Sequence, residues 1–155
     1  MSSIIESLQD VAAKRAELTK QLQGVVQAGL KDFMKNHPQI KWIGWTQFTP
    51  YFNDGEECVF RVGEICISLS DNPPDSFYDD EEEENAWIQI SEWNFFRSSY
   101  ISDSVKNLPL ELRKELVELE RALHNAQDDL KAAFGDHVRV TINQEEILID
   151  SYEHE

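Results

Sequence analysis

Two apolar stripes at alternating steps of four and three constrain this chain more than anything else in it. In the first, Ile4, Leu8, Val11, Leu18, Leu22 and Val25 recur, with Arg15 and Gly29 at the two remaining seam positions. In the second, Leu112, Leu116, Leu119, Leu123, Ala126, Leu130 and Ala133 keep the same spacing. Side chains three and four apart share one face of an α-helix, so each stripe predicts a long amphipathic helix that needs apolar cover. Ser3 and Glu6 fit a capping box at the start of the first, and Asn36-His37-Pro38 stops it. Its expected span, about residues 3–35, corresponds to ~50 Å of helix. The second is expected over about 109–134, opened by Pro109 and closed before Gly135. The stripes can bury each other as an antiparallel pair or share a sheet between them.

Between and after the helices the period changes to two. Residues 40–49 are rich in β-formers, and Asn53-Asp54-Gly55 supplies a tight reversal. Cys58, Phe60 and Val62 hold even positions while Ile65, Ile67 and Leu69 hold odd ones, so the apolar phase flips across Gly63-Glu64, through either a two-residue turn or a bulge. Trp87 to Ser91 reads as a further short strand. Val138, Val140 and Ile142, a turn over Asn143–Glu146, and Ile147-Leu148-Ile149 read as a C-terminal β-hairpin. Cys58 and Cys66 both fall on expected strands. The fold class is therefore α+β: a small antiparallel sheet packed with two long helices in a single domain over 1–155. Residues 40–49 carry bulky side chains on both faces, Ile40, Trp42 and Phe48 on one and Ile43 and Trp45 on the other. Helices on both faces are the preferred explanation; the alternative is one face that meets a partner.

Charge is concentrated. The net value is −16, and residues 71–86 carry −8 of it, against +2 for residues 1–41. With 41% hydrophobic residues the chain is too apolar for wholesale disorder, so the acidic run 71–86, which contains two prolines, is expected to be a mobile loop on a folded body. Such a field repels nucleic acid and anionic membrane and favours a basic protein partner. The candidate partner-binding residues are Asp75, Phe77, Tyr78, Asp79, Asp80, Glu81, Glu82, Glu83 and Glu84. Their carboxylates could stand in for phosphates in an Arg/Lys-lined groove, with the two aromatics as anchors; the plainer alternative is a solvated loop.

Motifs for chemistry are absent. His37, His124, His137 and His154 have no zinc-type pairing with Cys58 and Cys66, and neither Asp71, Asp75, Asp79 and Asp80 nor Asn53, Asp54 and Glu56 has the register of a calcium loop. No Gly-x-Ser-x-Gly and no phosphate-cradling glycine loop occurs. The expectation is no cofactor, no metal and no catalytic residue. Two cysteines, no basic-then-apolar leader and no membrane-length apolar run point to the reducing cytoplasm.

The stretch Trp45-Thr-Gln-Phe-Thr-Pro-Tyr-Phe-Asn-Asp-Gly55, running on to Cys58-Val-Phe60, resembles a segment of small uncharacterised proteins of tailed phages, including T-even-type phages, and of some bacteria. The resemblance covers about a tenth of the chain. It implies a phage-like or accessory setting, in which small acidic proteins bind and block host machinery, and carries over no functional residue. Three readings follow. The first is a non-enzymatic acidic protein, possible DNA mimic and inhibitor, whose negative surface engages a basic nucleic-acid-handling or defence protein. The second is a structural or assembly protein that oligomerises through its leucine seams, with a dimer left open. The third is a small enzyme with a carboxylate or thiol site that spacing does not reveal.

Overall fold

A computed structural model describes residues 3–50, 55, 58–73, 87–97, 99, 101 and 103–152. Helix α1 (Ser3–Asn36) leads into strand β1 (Trp42–Phe48), followed by β2 (Arg61–Val62), β3 (Cys66–Ser68) and β4 (Ile88–Gln89). A π-helical turn (Trp93–Arg97) and the short α2 (Asp103–Lys106) lead to α3 (Leu110–Asn125) and α4 (Gln127–Phe134), and the chain closes on β5 (Val138–Ile142) and β6 (Ile147–Ser151). The architecture is α+β, with an antiparallel sheet in the order β4-β3-β1-β5-β6 and β2 beside β1.

Registers explain how the sheet acquires one apolar face. Ile43 pairs with Ile67 on one side and Ile142 on the other, Ile67 with Ile88, Trp45 with Val140, and Ile142 with Ile147. Paired residues point the same way, so all of these lie on one face, together with Gln47 opposite Val62 and Val138. Every strand residue of the apolar core is on that face. The phase flip at Gly63-Glu64 is a bulge: Trp45 and Thr46 of β1 stand against Gly63, Glu64 and Ile65, between the pairs Gln47–Val62 and Gly44–Cys66. One extra residue returns Ile65 and Ile67 to the inner face. Gly63 allows the close approach there: its amide donates to Thr46 O at 2.7 Å, and a Cβ would crowd Thr46, at 2.9 Å from Oγ1 and 3.1 Å from that same carbonyl oxygen. Between β1 and β2 the chain reverses, with Gly55 at φ 79°; the rest of the expected turn, Asn53 and Asp54, lies outside the described residues. The C-terminal hairpin forms as expected, its turn held by Asn143, whose Oδ1 accepts from the amides of Glu145 (2.8 Å) and Glu146 (2.7 Å).

Four expectations are corrected. The helix expected over 109–134 is two helices, broken at Ala126 (φ −97°, ψ 20°), whose amide is shared between Ala122 O and Leu123 O. Leu112, Leu116 and Leu123 before the break and Leu130 and Ala133 after it are all buried, so one apolar stripe continues through it. Helices on both faces of the sheet are not seen among the described residues: the helical core side chains meet the Ile43–Trp45 face. The opposite face is lined at its middle by Gly44, Thr46, Cys66, Ser68 and Thr141, small or polar residues that are all buried; Trp42 and Phe48 stand at its two ends. Ile40 precedes β1 and enters the same core as Ile43, not the face of Trp42. Cys58 also lies ahead of β2 and not on a strand, whereas Cys66 is buried in β3.

Gln47 ties the layers together. Its fully buried amide donates to Leu130 O (2.9 Å) and Gly135 O (2.7 Å) and accepts from Trp45 Nε1 (3.0 Å), while Trp45 packs edge-on against Phe134. The sheet is thereby fastened both to the middle of α4, at Leu130, and to Gly135 just past its end, whose carbonyl finds a donor outside the helix. Gln47→Leu keeps the volume but strands Trp45 Nε1 and a carbonyl; we expect a loss of roughly 1–3 kcal/mol in denaturant unfolding. Gly24 in α1 has nothing within 4 Å of where a Cβ would stand, so Gly24→Ala is expected to raise stability by about 0.5–1 kcal/mol in the same assay.

Candidate interaction surface

The two halves of α1 have different surroundings. From Leu22 onward, Leu22, Val26, Leu30, Phe33 and Met34 pack into the core. Polar ties reinforce the contact: the Gln23 side chain donates to Ala133 O, and Gln144 Nε2 to Met34 O (3.2 Å). At the helix stop, His37 Nε2 lies 2.7 Å from Glu115 Oε2 and its ring 4.8 Å from Phe33, joining α1 to α3. Ahead of this anchored part, every residue from Ser3 to Leu18 is exposed. At ~1.5 Å per residue that is roughly 24 Å of helix standing clear of the described body.

Its exposed side is the first leucine seam. Ile4 is 67% exposed, Leu8 63%, Val11 49% and Leu18 54%, with Ile5 at 57% beside them and Val25 at 70% further along. Ile4, Val11, Leu18 and Val25 are spaced by seven, so they share a side; Leu8 and Arg15 complete the seam. The second seam is consumed within the chain. Sequence spacing identified both stripes, yet it carried no signal for which one the body would leave uncovered.

The expected partner-binding residues Asp75, Phe77, Tyr78, Asp79, Asp80, Glu81, Glu82, Glu83 and Glu84 lie outside the described residues, as do the calcium candidates Asn53, Asp54 and Glu56, and His154. Asp71 is described, and its carbonyl accepts from Trp42 Nε1 at 3.1 Å. Among the described residues no three His, Cys, Asp or Glu side chains converge in a way that could hold a metal ion, and no helix is long and apolar enough to cross a membrane. His124 is a structural bridge: Nδ1 is 3.0 Å from Glu120 O and 2.8 Å from its Oε1, and Nε2 is 2.9 Å from Gly63 O, which fastens α3 to the bulge. Burial, and then the charge of Glu64, push the Cys66 thiol up to about 12, so it is the protonated, unreactive form that sits in β3.

Clefts open on the sheet among the described residues, and two of them bear on chemistry. One, of about 230 Å³, is lined by Trp42, Asp71, Pro73, Trp87, Arg139 and Leu148. The other, of about 380 Å³, lies beside His124 and includes Arg61, Glu64, Gln89, Glu120 and Tyr152. In the second, Arg61 stacks 5.4 Å above Phe48, whose ring is 5.6 Å from Tyr152. Neither brings a nucleophile against a base with a third group to orient it.

Asp136 fastens the end of β1 to the start of β5, accepting from Thr49 N (2.8 Å), Thr49 Oγ1 (2.6 Å) and His137 N (2.9 Å). Partial burial alone would raise its carboxyl, but the Thr49 and His137 hydrogen bonds, with the His137 charge, hold it below the usual carboxylate range. A depressed folded value stabilises the fold fully above the unfolded value of about 3.9 and loses that contribution as pH falls through the lower folded one. Asp136→Asn should therefore be less stable than the natural chain at pH 7, and the gap should close as pH falls below about 4 in pH-resolved denaturation. Comparison with protein-family models, with curated proteins and with solved structures finds no match, so the surfaces described above are what bears on function.

Proposed function

We propose that this chain is a non-enzymatic interaction protein, in which an α+β body holds out the first half of α1 for docking against another helix. The observation that carries this reading is the complete exposure of Ser3–Leu18 with an apolar stripe along it. Apolar surface left in water forgoes roughly 25 cal/mol per Å², and a contiguous patch of this kind marks an interaction site. Helix-on-helix recognition uses anchors at steps of three, four and seven, which Ile4, Leu8, Val11 and Leu18 supply. Assembly through a seam thus narrows to the first stripe, because Leu112, Leu116, Leu123 and Leu130 are buried inside the chain itself.

A second reading rests on the net charge of −16: an acidic surface that engages a basic protein, as in a phage-type inhibitor. Salt separates the two, since ionic attraction between surfaces is screened and apolar docking is not.

The test is photo-cross-linking in cells from a reactive side chain placed at Leu8 or Leu18, with Ala13 and Lys20 on the opposite side of the helix as controls. Adducts are expected from the first pair and not from the second, and in lysate their yield should persist in molar salt. Equal yields from both sides, or none, would contradict the docking reading; adducts lost as salt rises would favour the acidic surface.

A further inference from the structure

We propose that the occupant of the α1 stripe is a second copy of this chain, paired antiparallel along the projecting halves of the two helices. The inference rests on the docking reading above and names its partner.

Area comes first. Five large apolar side chains of α1 within residues 3–23, Ile4, Ile5, Leu8, Val11 and Leu18, are about half exposed or more, which places on the order of 500 Å² per chain in the stripe, so that two copies together come to about 1,000 Å², the least area that a specific interface needs. A helix pair is the simplest shape that covers a straight stripe. Elsewhere the exposed large apolar residues are Trp93 and Phe96 on the π-helical turn, Leu148 and Ile149 on β6, and Val59 and Leu110 singly, so among the described residues α1 carries the longest apolar row that a second copy offers.

Charge selects helix against helix. Residues 3–36 carry +1 whereas residues 42–155 carry −18, so two bodies repel while two α1 helices do not. Charge also selects direction. Within the projecting seam and its flanks the ionised side chains are Lys14 and Arg15. In a parallel pair the two Arg15 guanidinium groups would meet at the same level of the seam, and the two acidic bodies would stand side by side. Antiparallel, with Leu8 opposite Leu18 of the second copy, Arg15 faces Val11 and Ile4 reaches Leu22, where the other body begins. That register overlaps residues 3–23, and by symmetry each layer occurs twice. The bodies then lie at opposite ends of ~30 Å of paired helix, several Debye lengths apart.

Sedimentation of the full chain over a wide concentration range tests this, together with mixing of Leu8→Cys and Leu18→Cys variants in a Cys58→Ser background. The expected result is a rise from 18.0 kDa to twice that mass, a dissociation constant weakened by at least about 10-fold in Leu18→Glu with an unchanged unfolding transition, and disulfides between the two different cysteine variants. A strict monomer, or a dimer indifferent to Leu18→Glu, overturns the proposal, and so does self-linking of Leu8→Cys in place of the mixed product. A monomer whose Leu8 and Leu18 cross-links in cells go to another protein removes the second copy but keeps the docking helix; loss of those cross-links as well removes both.

Discussion

The buried amide of Gln47 holds the arrangement together. By donating to Leu130 O within α4 and to Gly135 O just beyond it, and accepting from Trp45, it fixes α4 against β1. That placement makes the ledge on which Leu22, Val26, Leu30 and Met34 settle. α4, together with β5 and the turn at Gln144, reaches along α1 only from about Leu22 to Met34, and α1 has thirty-four residues. The overhang is thus a consequence of geometry: a helix with one continuous seam is docked on a support too short to cover it.

Much of this could be read from the residues. The α1 limits, the C-terminal hairpin and the phase flip at Gly63-Glu64 follow from spacing and turn chemistry, which are local. The interruption at Ala126 did not, because the seam Leu123, Ala126, Leu130 runs through it without a change of period. Both faces of β1 looked apolar because Trp42 and Phe48 sit at its two ends, while Gly44 and Thr46 between them are small or polar. The uncovered half of α1 was hidden for a related reason. Ile4, Leu8, Val11 and Leu18 have the same pattern whether they are buried within the chain or between chains, and only the position of α4 separates those cases.

Charge and the exposed apolar stripe occupy different parts of the sequence. Of the net −16, the residues outside those described hold −12, and α1 is close to neutral. The division makes a near-neutral apolar helix the natural meeting point of two strongly anionic bodies, and it disfavours contact anywhere near 71–86. Salt bridges on the body, such as Glu92 with Arg97 and Arg121 at 3.1 and 3.0 Å, are exposed and contribute little to stability, but they keep local charge balanced next to α3.

A lone projecting helix of this length frays readily, whereas a paired one is protected. Amide hydrogen exchange over Ser3–Leu18, followed as a function of protein concentration, is therefore the most direct measurement of whether the stripe is covered by another copy. The account predicts protection there that grows with concentration while that of Val26–Met34 stays constant. Fast exchange over Ser3–Leu18 at every concentration would contradict it.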